Sequence, residues 1–222
     1  MGKTAIILGA TGLTGSMLLA QLIKDKRYKK IILFSRKELK NMPTKVTQHV
    51  GSLLELENFK KDFIGDEVFC CIGTTSKKTP DKKLYKAIDY GIPVTASKLA
   101  KENRINTFLV ISALGANANS CIFYNKTKGK MEQDVLKQNI PNTYILQPSI
   151  IAGNRKENRN AEKLGLGVFK LFQPLLIGKL KKYRLIEAED IAKAMLNLAN
   201  SKAINEIIIT SDYIKKNSKN NN

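Results

Sequence analysis

The sequence predicts an α/β protein built on a doubly wound, mostly parallel sheet of about seven strands. Short aliphatic runs alternate with longer amphipathic stretches along most of its 222 residues, which is typical of βαβ units with helices on both faces of the sheet. A glycine-rich turn follows the first aliphatic run, where the first strand of such a sheet passes into a helix. Hydrophobic residues make up 43% of the chain, enough to bury the core of a single domain of this size.

The elements can be assigned in order from their length and periodicity. The predicted strands lie at 4–8, 30–34, 46–50, 67–72, 107–111, 142–146 and 206–210. The predicted helices lie at 13–24, 53–63, 82–103, 126–138, 161–172 and 189–200. Pro93 falls inside the third helix, and we expect a kink or a break there because proline lacks the backbone donor and clashes with the preceding turn.

These elements predict one domain, 1–214, which includes a small C-terminal helical lid at about 153–186. The last eight residues, 215–222, are all Lys, Asn or Ser, and we expect them to form a disordered tail. The charge-free stretch 5–23 is broken by three glycines and several polar residues. It therefore predicts neither a membrane span nor an export signal.

The composition is strongly basic and poor in cysteine. The chain has 38 Lys and Arg against 19 Asp and Glu, a formal net charge of +19, which raises the alternative of nucleic-acid binding. The lysines are scattered over helix ends and loops, and the aromatic residues (7%) are not interleaved with them as a stacking platform requires. That pattern disfavours nucleic-acid binding. Three cysteines without a CxxC pair indicate a reducing compartment, and we predict a cytoplasmic location.

The glycine-rich turn has the sequence Gly9-Ala10-Thr11-Gly12-Leu13-Thr14-Gly15. A strand, a tight turn and a helix N-terminus in this order direct backbone N–H groups and the positive end of the helix dipole at a pyrophosphate. No GxxxxGK[ST] motif can be drawn through it, which excludes a P-loop. We therefore predict a dinucleotide site, the alternative being a purely structural turn. The turn residues expected to bind the cofactor are Gly9, Thr11, Gly12, Leu13, Thr14 and Gly15.

The second predicted strand ends in Ser35-Arg36-Lys37. Proteins that prefer NAD(H) place an acidic residue near this position, where it binds the ribose 2′-hydroxyl. A carboxylate would repel a 2′-phosphate, whereas Arg36 can bind one through two charge-assisted hydrogen bonds. We therefore predict NADP(H) over NAD(H), the alternative being that Arg36 is a solvated surface residue.

Tyr124 and Lys128 form a YxxxK motif at the start of the fourth predicted helix, one turn apart on the same face. Ser112 ends the fifth predicted strand, and a doubly wound sheet presents the carboxyl ends of its strands to the ligand. Tyrosine donates a proton efficiently only if its pKa, about 10 in water, is lowered. We expect Lys128 and an oxidised nicotinamide to lower the pKa of Tyr124, and Ser112 to orient a reacting carbonyl.

With these motifs in order, the chain resembles the short-chain dehydrogenase/reductases in their atypical NAD(P)H-binding branch, and within it the oxidoreductases related to the Tat-interacting protein. The resemblance extends from the first strand to about residue 200. Besides the glycine turn and the YxxxK motif, it rests on Ser35-Arg36, Cys70-Cys71-Ile72-Gly73-Thr74-Thr75, Ile88-Asp89, Ser112 with Gly115-Ala116, and Gln147-Pro148-Ser149.

The resemblance implies a Rossmann domain that binds NADPH across the carboxyl ends of the strands, with Ser112, Tyr124 and Lys128 as a catalytic triad. It also implies that Gly73 and Thr74 border the adenine ribose and that Pro148 and Ser149 lie by the nicotinamide. Where the family often has an acidic residue after the third strand, this chain has Ser52. Beyond the glycine turn, the expected cofactor-binding residues are Ser35, Arg36, Lys37, Ser52, Leu53, Ile72, Gly73, Thr74, Tyr124, Lys128, Pro148, Ser149 and Ile150.

We therefore expect an NADPH-dependent oxidoreductase that passes a hydride to a small carbonyl-like acceptor. The alternative is a non-catalytic NADPH-binding regulatory or sensor protein, for which Arg36 and the glycine turn matter and Tyr124 does not. The expected partner is a small-molecule substrate. The sequence does not decide between a monomer and a homodimer. Asp89 is interpreted either as an orienting group behind the triad or as a surface or capping residue. His49 has no second ligand at metal-binding spacing, so we expect no metal site.

Overall fold

A computed structural model describes residues 2–152, 178–201 and 206–219. Its main sheet has seven strands in the order β3-β2-β1-β4-β5-β6-β9, and every neighbouring pair is parallel. The order reverses between β1 and β4, which makes the sheet doubly wound and confirms the predicted fold class. The strands are β1 (Lys3–Leu8), β2 (Tyr28–Ser35), β3 (Val46–Val50), β4 (Glu67–Cys70), β5 (Thr107–Ile111), β6 (Asn142–Gln147) and β9 (Ile208–Thr210).

Helices cover both faces of this sheet. They are α1 (Leu13–Lys24), α2 (Lys82–Lys86), α3 (Ile92–Glu102), α4 (Phe123–Leu136), α5 (Ala188–Asn200) and α6 (Ser211–Asn217), with 3₁₀ turns at Leu53–Phe59 and Gly178–Tyr183. Two short strands, β7 (Ile151–Ala152) and β8 (Ile186–Glu187), form a separate parallel pair. None of the helices within the described residues is long and apolar enough to cross a membrane.

Alternating side chains of the strands fill two separate cores, one on each face of the sheet. Ala5 and Ile7 of β1 are buried with residues of α1 and α5, whereas Ile6 and Leu8 are buried with residues of α3 and α4. This is why the central strands are largely apolar, since a parallel sheet covered on both faces has no side exposed to water, whereas the edge strand β3 is only partly buried. The carboxyl ends of the strands stay open, and the candidate site lies there.

The predicted helix 82–103 is present as helical residues over 82–102, and it is interrupted near Pro93 as expected. A π-helical segment, Ala87–Gly91, lies between α2 and α3, and Pro93 occupies the first turn of α3. Proline is tolerated there because the first N–H groups of a helix have no intrahelical acceptor. The π segment joins α2 to α3, and its residue Asp89 is buried.

Three other predicted segments differ from the structure. The predicted helix 53–63 is a 3₁₀ turn that ends at Phe59, and the helix predicted to begin at residue 126 begins at Phe123. The prediction of a disordered tail was wrong for residues 215–217, which belong to α6. They are held because Asn197 of α5 donates a hydrogen bond to the carbonyl of Asn217. The predicted helix 161–172 and most of the predicted lid, 153–177, lie outside the described residues.

Candidate active site

The glycine turn brings the start of α1 against the end of β1. Gly9 has φ +85°, and a Cβ on Gly15 would lie 2.1 Å from the carbonyl oxygen of Gly9. The amide of Gly12 donates a 2.9 Å hydrogen bond to the same oxygen. A side chain at Gly15 would therefore push α1 away from the turn. As built, the turn leaves Thr11 to Thr14 lining a cavity at the N-terminus of α1.

That cavity has a volume of about 840 Å³ and runs along the carboxyl ends of the strands. It joins the glycine turn at one end to Ser112, Tyr124 and Lys128 at the other. Between them it is lined by Ile72, Gly73 and Thr74 at the end of β4. A dinucleotide needs such a continuous space, with backbone amides for its pyrophosphate and side chains for its reactive ring. The residues present therefore fit a nicotinamide dinucleotide.

The other residues predicted to bind the cofactor do not line this cavity. Ser35 donates a hydrogen bond to the Lys37 carbonyl, and Arg36 is exposed at the end of β2. Ser149 is engaged elsewhere, because its hydroxyl donates to the Arg184 carbonyl and its amide donates to Ser211. The predicted residues outside the lining are Gly9, Gly15, Ser35, Arg36, Lys37, Ser52, Leu53, Pro148, Ser149 and Ile150.

Lys128 is buried at the reactive end of the cavity and forms an ion pair with Asp89. Its Nζ lies 2.9 Å from Asp89 Oδ1, and the two side chains are 3% and 1% exposed. Nζ also donates a 3.4 Å hydrogen bond to the carbonyl of Ile111 at the end of β5. Burial alone would lower the pKa of Lys128, but the charge and hydrogen bond of Asp89, together with the charges of Tyr124 and Cys70, outweigh it, and the pKa lies above its ordinary value. Lys128 is therefore a fixed cation.

Asp89 is a site residue whose role the sequence left undecided. It is fully buried, and its Oδ2 accepts a 2.7 Å hydrogen bond from the amide of Thr74. One carboxylate therefore links the loop after β4 to the lysine on α4. This burial excludes the interpretation of Asp89 as a surface residue. Its contacts with Lys128 and Thr74 are those expected of an orienting group behind Tyr124 and Lys128.

Tyr124 lies at the opening of the cavity, with 40% of its surface exposed. Its pKa lies above the ordinary value of 10.0 because desolvation and the charge of Asp89 together outweigh the opposing effect of Lys128. Lys128 lowers the pKa of Tyr124, as expected, but desolvation has the larger effect and the charge of Asp89 adds to it. The pKa of Tyr124 therefore stays above its ordinary value in the protein alone.

Ser112 makes a contact that the sequence did not predict. Its hydroxyl is buried and donates a hydrogen bond to Glu132 Oε1 of α4. The amide nitrogen of Gln147, at the end of β6, donates to both oxygens of Glu132 at 2.9 and 3.1 Å. Burial raises the pKa of Glu132 against the lowering effect of these donors. Ser112, Glu132 and Gln147 form a buried polar cluster directly behind the cavity, which we call the serine cluster.

Gly129, the residue after Lys128, brings α4 close to the loop that follows Ser112. A Cβ at Gly129 would lie 2.2 Å from the backbone nitrogen of Ala118 and 2.3 Å from the carbonyl carbon of Asn117. The Asn117 amide donates to the Asn125 carbonyl at 3.0 Å. The glycine is thus required for the close approach that brings Ser112 and Lys128 to one end of the cavity. Within the described ranges, no group of three His, Cys, Asp or Glu side chains is arranged to hold a metal ion.

Comparison with known proteins finds relatives over nearly the whole chain. The chain is 33% identical over 212 residues to the mitochondrial protein FMP52 of Candida albicans, covering 91% of this chain and 90% of the relative. It is 30% identical to FMP52 of Debaryomyces hansenii, covering 89% and 88%. It is 29% identical to the protein HTATIP2 of Rattus norvegicus, covering 75% and 70%. No family model matches the chain.

Solved structures share the fold at low sequence identity. A UDP-glucose 4-epimerase of Thermotoga maritima superposes with a TM-score of 0.68 at 16% identity, covering 96% of this chain and 80% of that one. The enzyme WbmH of Bordetella bronchiseptica, solved with NAD⁺, gives 0.66 at 15% identity, covering 90% and 73%. At this identity the likeness supports the Rossmann-type fold and carries nothing about the substrate.

The relatives correct the predicted cytoplasmic location. The FMP52 proteins of Candida albicans and Debaryomyces hansenii are both named as mitochondrial. The prediction rested on three cysteines without a disulfide pattern, and the structure leaves all three free. Free thiols indicate a reducing environment, but they do not distinguish the cytoplasm from a reducing compartment inside an organelle.

Proposed function

This chain belongs to the NAD(P)-binding, atypical short-chain dehydrogenase/reductase family that includes FMP52 and HTATIP2, and we propose that it is an NADPH-dependent reductase of a small carbonyl-like acceptor. One observation carries the proposal: a single cavity joins the glycine turn to Tyr124, Lys128 and Ser112. A protein that only stores or senses the nucleotide has no need of a tyrosine hydroxyl and a buried lysine at the far end of its site.

The glycine turn is the part of the chain that holds the cofactor. The backbone amides at the start of α1 bind its pyrophosphate, since they have no acceptor within the helix and carry the positive end of the dipole. Gly73 and Thr74 line the middle of the cavity and border the adenine ribose. When bound, the reduced nicotinamide supplies a hydride to the acceptor.

Three side chains act at the reactive end of the cavity. Lys128 binds the nicotinamide ribose through its ammonium, which Asp89 and the Ile111 carbonyl hold in place. Tyr124 delivers its phenolic proton to the oxygen of the acceptor. Ser112 orients that oxygen from the end of β5. The raised pKa keeps Tyr124 protonated in the protein alone, and the positive charge of an oxidised nicotinamide would oppose this rise when the cofactor is bound.

The test of the reductase is Tyr124→Phe. We expect this variant to lower kcat for NADPH oxidation by about 100- to 10,000-fold, the usual contribution of one positioned proton donor, with an unchanged Kd for NADPH. The probes are benzaldehyde, cyclohexanone and phenanthrenequinone, and oxidation is followed by the loss of NADPH absorbance. The matched control is Tyr90→Phe, which removes a hydroxyl bonded to Asp134 outside the cavity lining and leaves the rate unchanged.

Two results contradict the reductase. Unchanged turnover in Tyr124→Phe removes Tyr124 from the mechanism. NADPH binding without oxidation by any probe supports the non-catalytic sensor instead.

We also propose that Arg36 selects NADPH over NADH. Arg36 is exposed at the end of β2, where its guanidinium is free to turn toward a 2′-phosphate. Arg36→Ala should weaken NADPH binding by about tenfold or more, the value of one charge-assisted contact, and leave NADH binding unchanged. Arg27→Ala is the control, because Arg27 precedes the opposite end of β2 and pairs with Asp25. An equal loss for both cofactors contradicts the assignment.

We propose a mitochondrial location by analogy with the FMP52 relatives. The full chain with a C-terminal fluorescent tag should colocalise with a mitochondrial marker when expressed in yeast. Uniform fluorescence in the cytosol would contradict this.

A further inference from the structure

The serine cluster contains an ionisable group that the proposed mechanism does not use. Glu132 is 8% exposed and Ser112 is 4% exposed. The two side chains come from different elements, the middle of α4 and the loop just after β5, yet Ser112 donates its hydroxyl proton to Glu132. The amide of Ser112 also donates a 2.7 Å hydrogen bond to the carbonyl of Leu146, which fixes the backbone beside Gln147. The cluster is built into the fold and is not a chance surface contact.

The direction of this hydrogen bond decides what Ser112 can offer to a substrate. A serine hydroxyl has one proton and two lone pairs. While the proton is donated to a carboxylate, the side of Ser112 that faces the cavity can only accept a hydrogen bond. A carbonyl oxygen, and the negative charge that develops on it during reduction, needs a donor. A carboxylate at Glu132 therefore holds Ser112 in the form that cannot assist the reaction.

Protonation of Glu132 reverses the direction. A carboxylic acid can donate its own proton to the oxygen of Ser112, and the serine proton is then free to point into the cavity. Burial raises the pKa of Glu132 from its ordinary value of 4.5, although the hydrogen bonds from Ser112 and Gln147 and the charge of Lys128 oppose this. Lys128 stands one turn earlier in α4 and pairs with Asp89, with Tyr124 and Cys70 as the other titratable groups beside it.

We propose that Glu132 is a positioning residue whose proton sets the donor direction of Ser112: the acid form allows Ser112 to donate to the acceptor oxygen, and the carboxylate form withdraws that donor. The inference rests on the proposed reductase function. It assigns to this chain a second titrating group behind the Ser-Tyr-Lys triad. The only bond that forms or breaks at Glu132 is the O–H bond of its carboxylic acid, whose proton is exchanged with solvent.

The kinetic test compares the pH dependence of kcat/KM in the wild-type protein and in Glu132→Gln. We expect wild-type kcat/KM to fall by about tenfold for each pH unit above the pKa of Glu132. Glutamine is neutral at every pH and its amide can donate to Ser112, so Glu132→Gln should lose this falling limb. Tyr124 loses its proton only above pH 10.0, because its pKa is raised. The fall in kcat/KM caused by deprotonation of Tyr124 therefore stays separate from the fall caused by Glu132. Glu102→Gln, a neutralisation at the protein surface, should keep the wild-type profile.

A second measurement needs no turnover. A carboxyl group whose pKa is raised on folding makes the folded state less stable, relative to its glutamine variant, as pH rises from 4.5 through the folded pKa. The wild-type protein should show this loss against Glu132→Gln in urea unfolding. Because Ser112 donates to the carboxylate, Ser112→Ala should raise the pKa further. In the Ser112→Ala background, the loss of stability relative to Glu132→Gln should therefore occur at higher pH.

The outcomes separate this inference from the proposed function. A falling limb that persists in Glu132→Gln overturns the inference, even if the reductase is active. If the wild-type protein oxidises NADPH with no probe, the reductase proposal fails and the unfolding experiment alone tests the inference. The link between Ser112 and Glu132 is supported if the pH-dependent loss of stability moves to higher pH in Ser112→Ala. The link is overturned if this loss occurs over the same pH range as in the wild-type background.

Discussion

The buried ion pair between Asp89 and Lys128 should be costly to break, and Asp89→Asn tests this directly. Both side chains are almost completely removed from water, with Nζ and Oδ1 2.9 Å apart. The Coulomb attraction at that distance is about 6 kcal/mol at an effective dielectric constant of about 20. The variant leaves a buried ammonium without its counter-charge, for which about 3–5 kcal/mol of lost stability is typical. The asparagine oxygen can still accept from Thr74, so the loss reports mainly the charge.

The pair Lys60–Glu102 provides a matched control. Its nitrogen and oxygen are also 2.9 Å apart, but the side chains are 58% and 48% exposed. Glu102→Gln should cost only about 0–1 kcal/mol, because water and salt screen the charges. Urea unfolding at neutral pH, followed by circular dichroism, measures both variants. If Asp89→Asn costs no more stability than Glu102→Gln, the buried pair does not stabilise the folded protein.

The pH dependence of this effect has a definite sign. The pKa of Lys128 is raised in the folded protein, so the stability from its charge is fully present below 10.5 and is lost as pH rises through the folded pKa. In Asp89→Asn the pKa of Lys128 falls below that of the unfolded chain, because burial is no longer compensated. The variant should then gain stability as pH rises toward 10.5. The difference in the free energy of unfolding between the wild-type protein and Asp89→Asn should therefore be smaller in alkaline buffer than at neutral pH.

Two further substitutions test how the fold holds the site. Gly129→Ala places a Cβ 2.2 Å from the backbone of Ala118, so it should lower the free energy of unfolding by about 1–3 kcal/mol or more and also lower kcat. Gly91→Ala is the control, because its Cβ meets no atom closer than 4.0 Å. It should change the free energy of unfolding by no more than about 1 kcal/mol in the same unfolding experiments. Glu67→Ala removes the acceptor of the buried Tyr28 hydroxyl and the partner of Lys3, and should cost about 1–3 kcal/mol. Because Glu67 begins β4 at the edge opposite the cavity, a changed Kd for NADPH in that variant would contradict this separation of stability from binding.

The sheet could be predicted from the sequence because each strand carries its own signal. Most main-sheet strands contain an aliphatic run, and the glycine turn follows β1 at the point where the chain enters α1. The edge strand β3 is the exception, because its sequence between Val46 and Val50 is polar and only partly buried. The segment around Pro93 was harder, since whether a proline ends a helix or shifts its register depends on the packing of both halves. Here the helix continues as α3 after the π segment, because Val94 and Leu99 are buried in the core on that face of the sheet.

The partners of the site residues could not be predicted in the same way. Glu132 stands four residues after Lys128, a spacing that usually indicates a solvated pair on a helix surface. Its carboxyl points instead to Ser112, a contact that depends on how β5 and β6 end beside α4. Asp89 is separated from Lys128 by 39 positions, so only the π segment and the loop after β4 bring the two together.

The raised pKa of Tyr124 has a consequence for when this residue can lose its proton. In the protein alone the pKa of Tyr124 is raised, because burial and Asp89 outweigh Lys128. An active site that relied on Lys128 alone would therefore keep its phenol protonated at neutral pH. If the protein is the proposed reductase, an oxidised nicotinamide would supply the further positive charge that stabilises the phenolate. Tyr124 would then lose its proton more readily beside the oxidised cofactor than in the protein alone, which would couple transfer of the proton to transfer of the hydride.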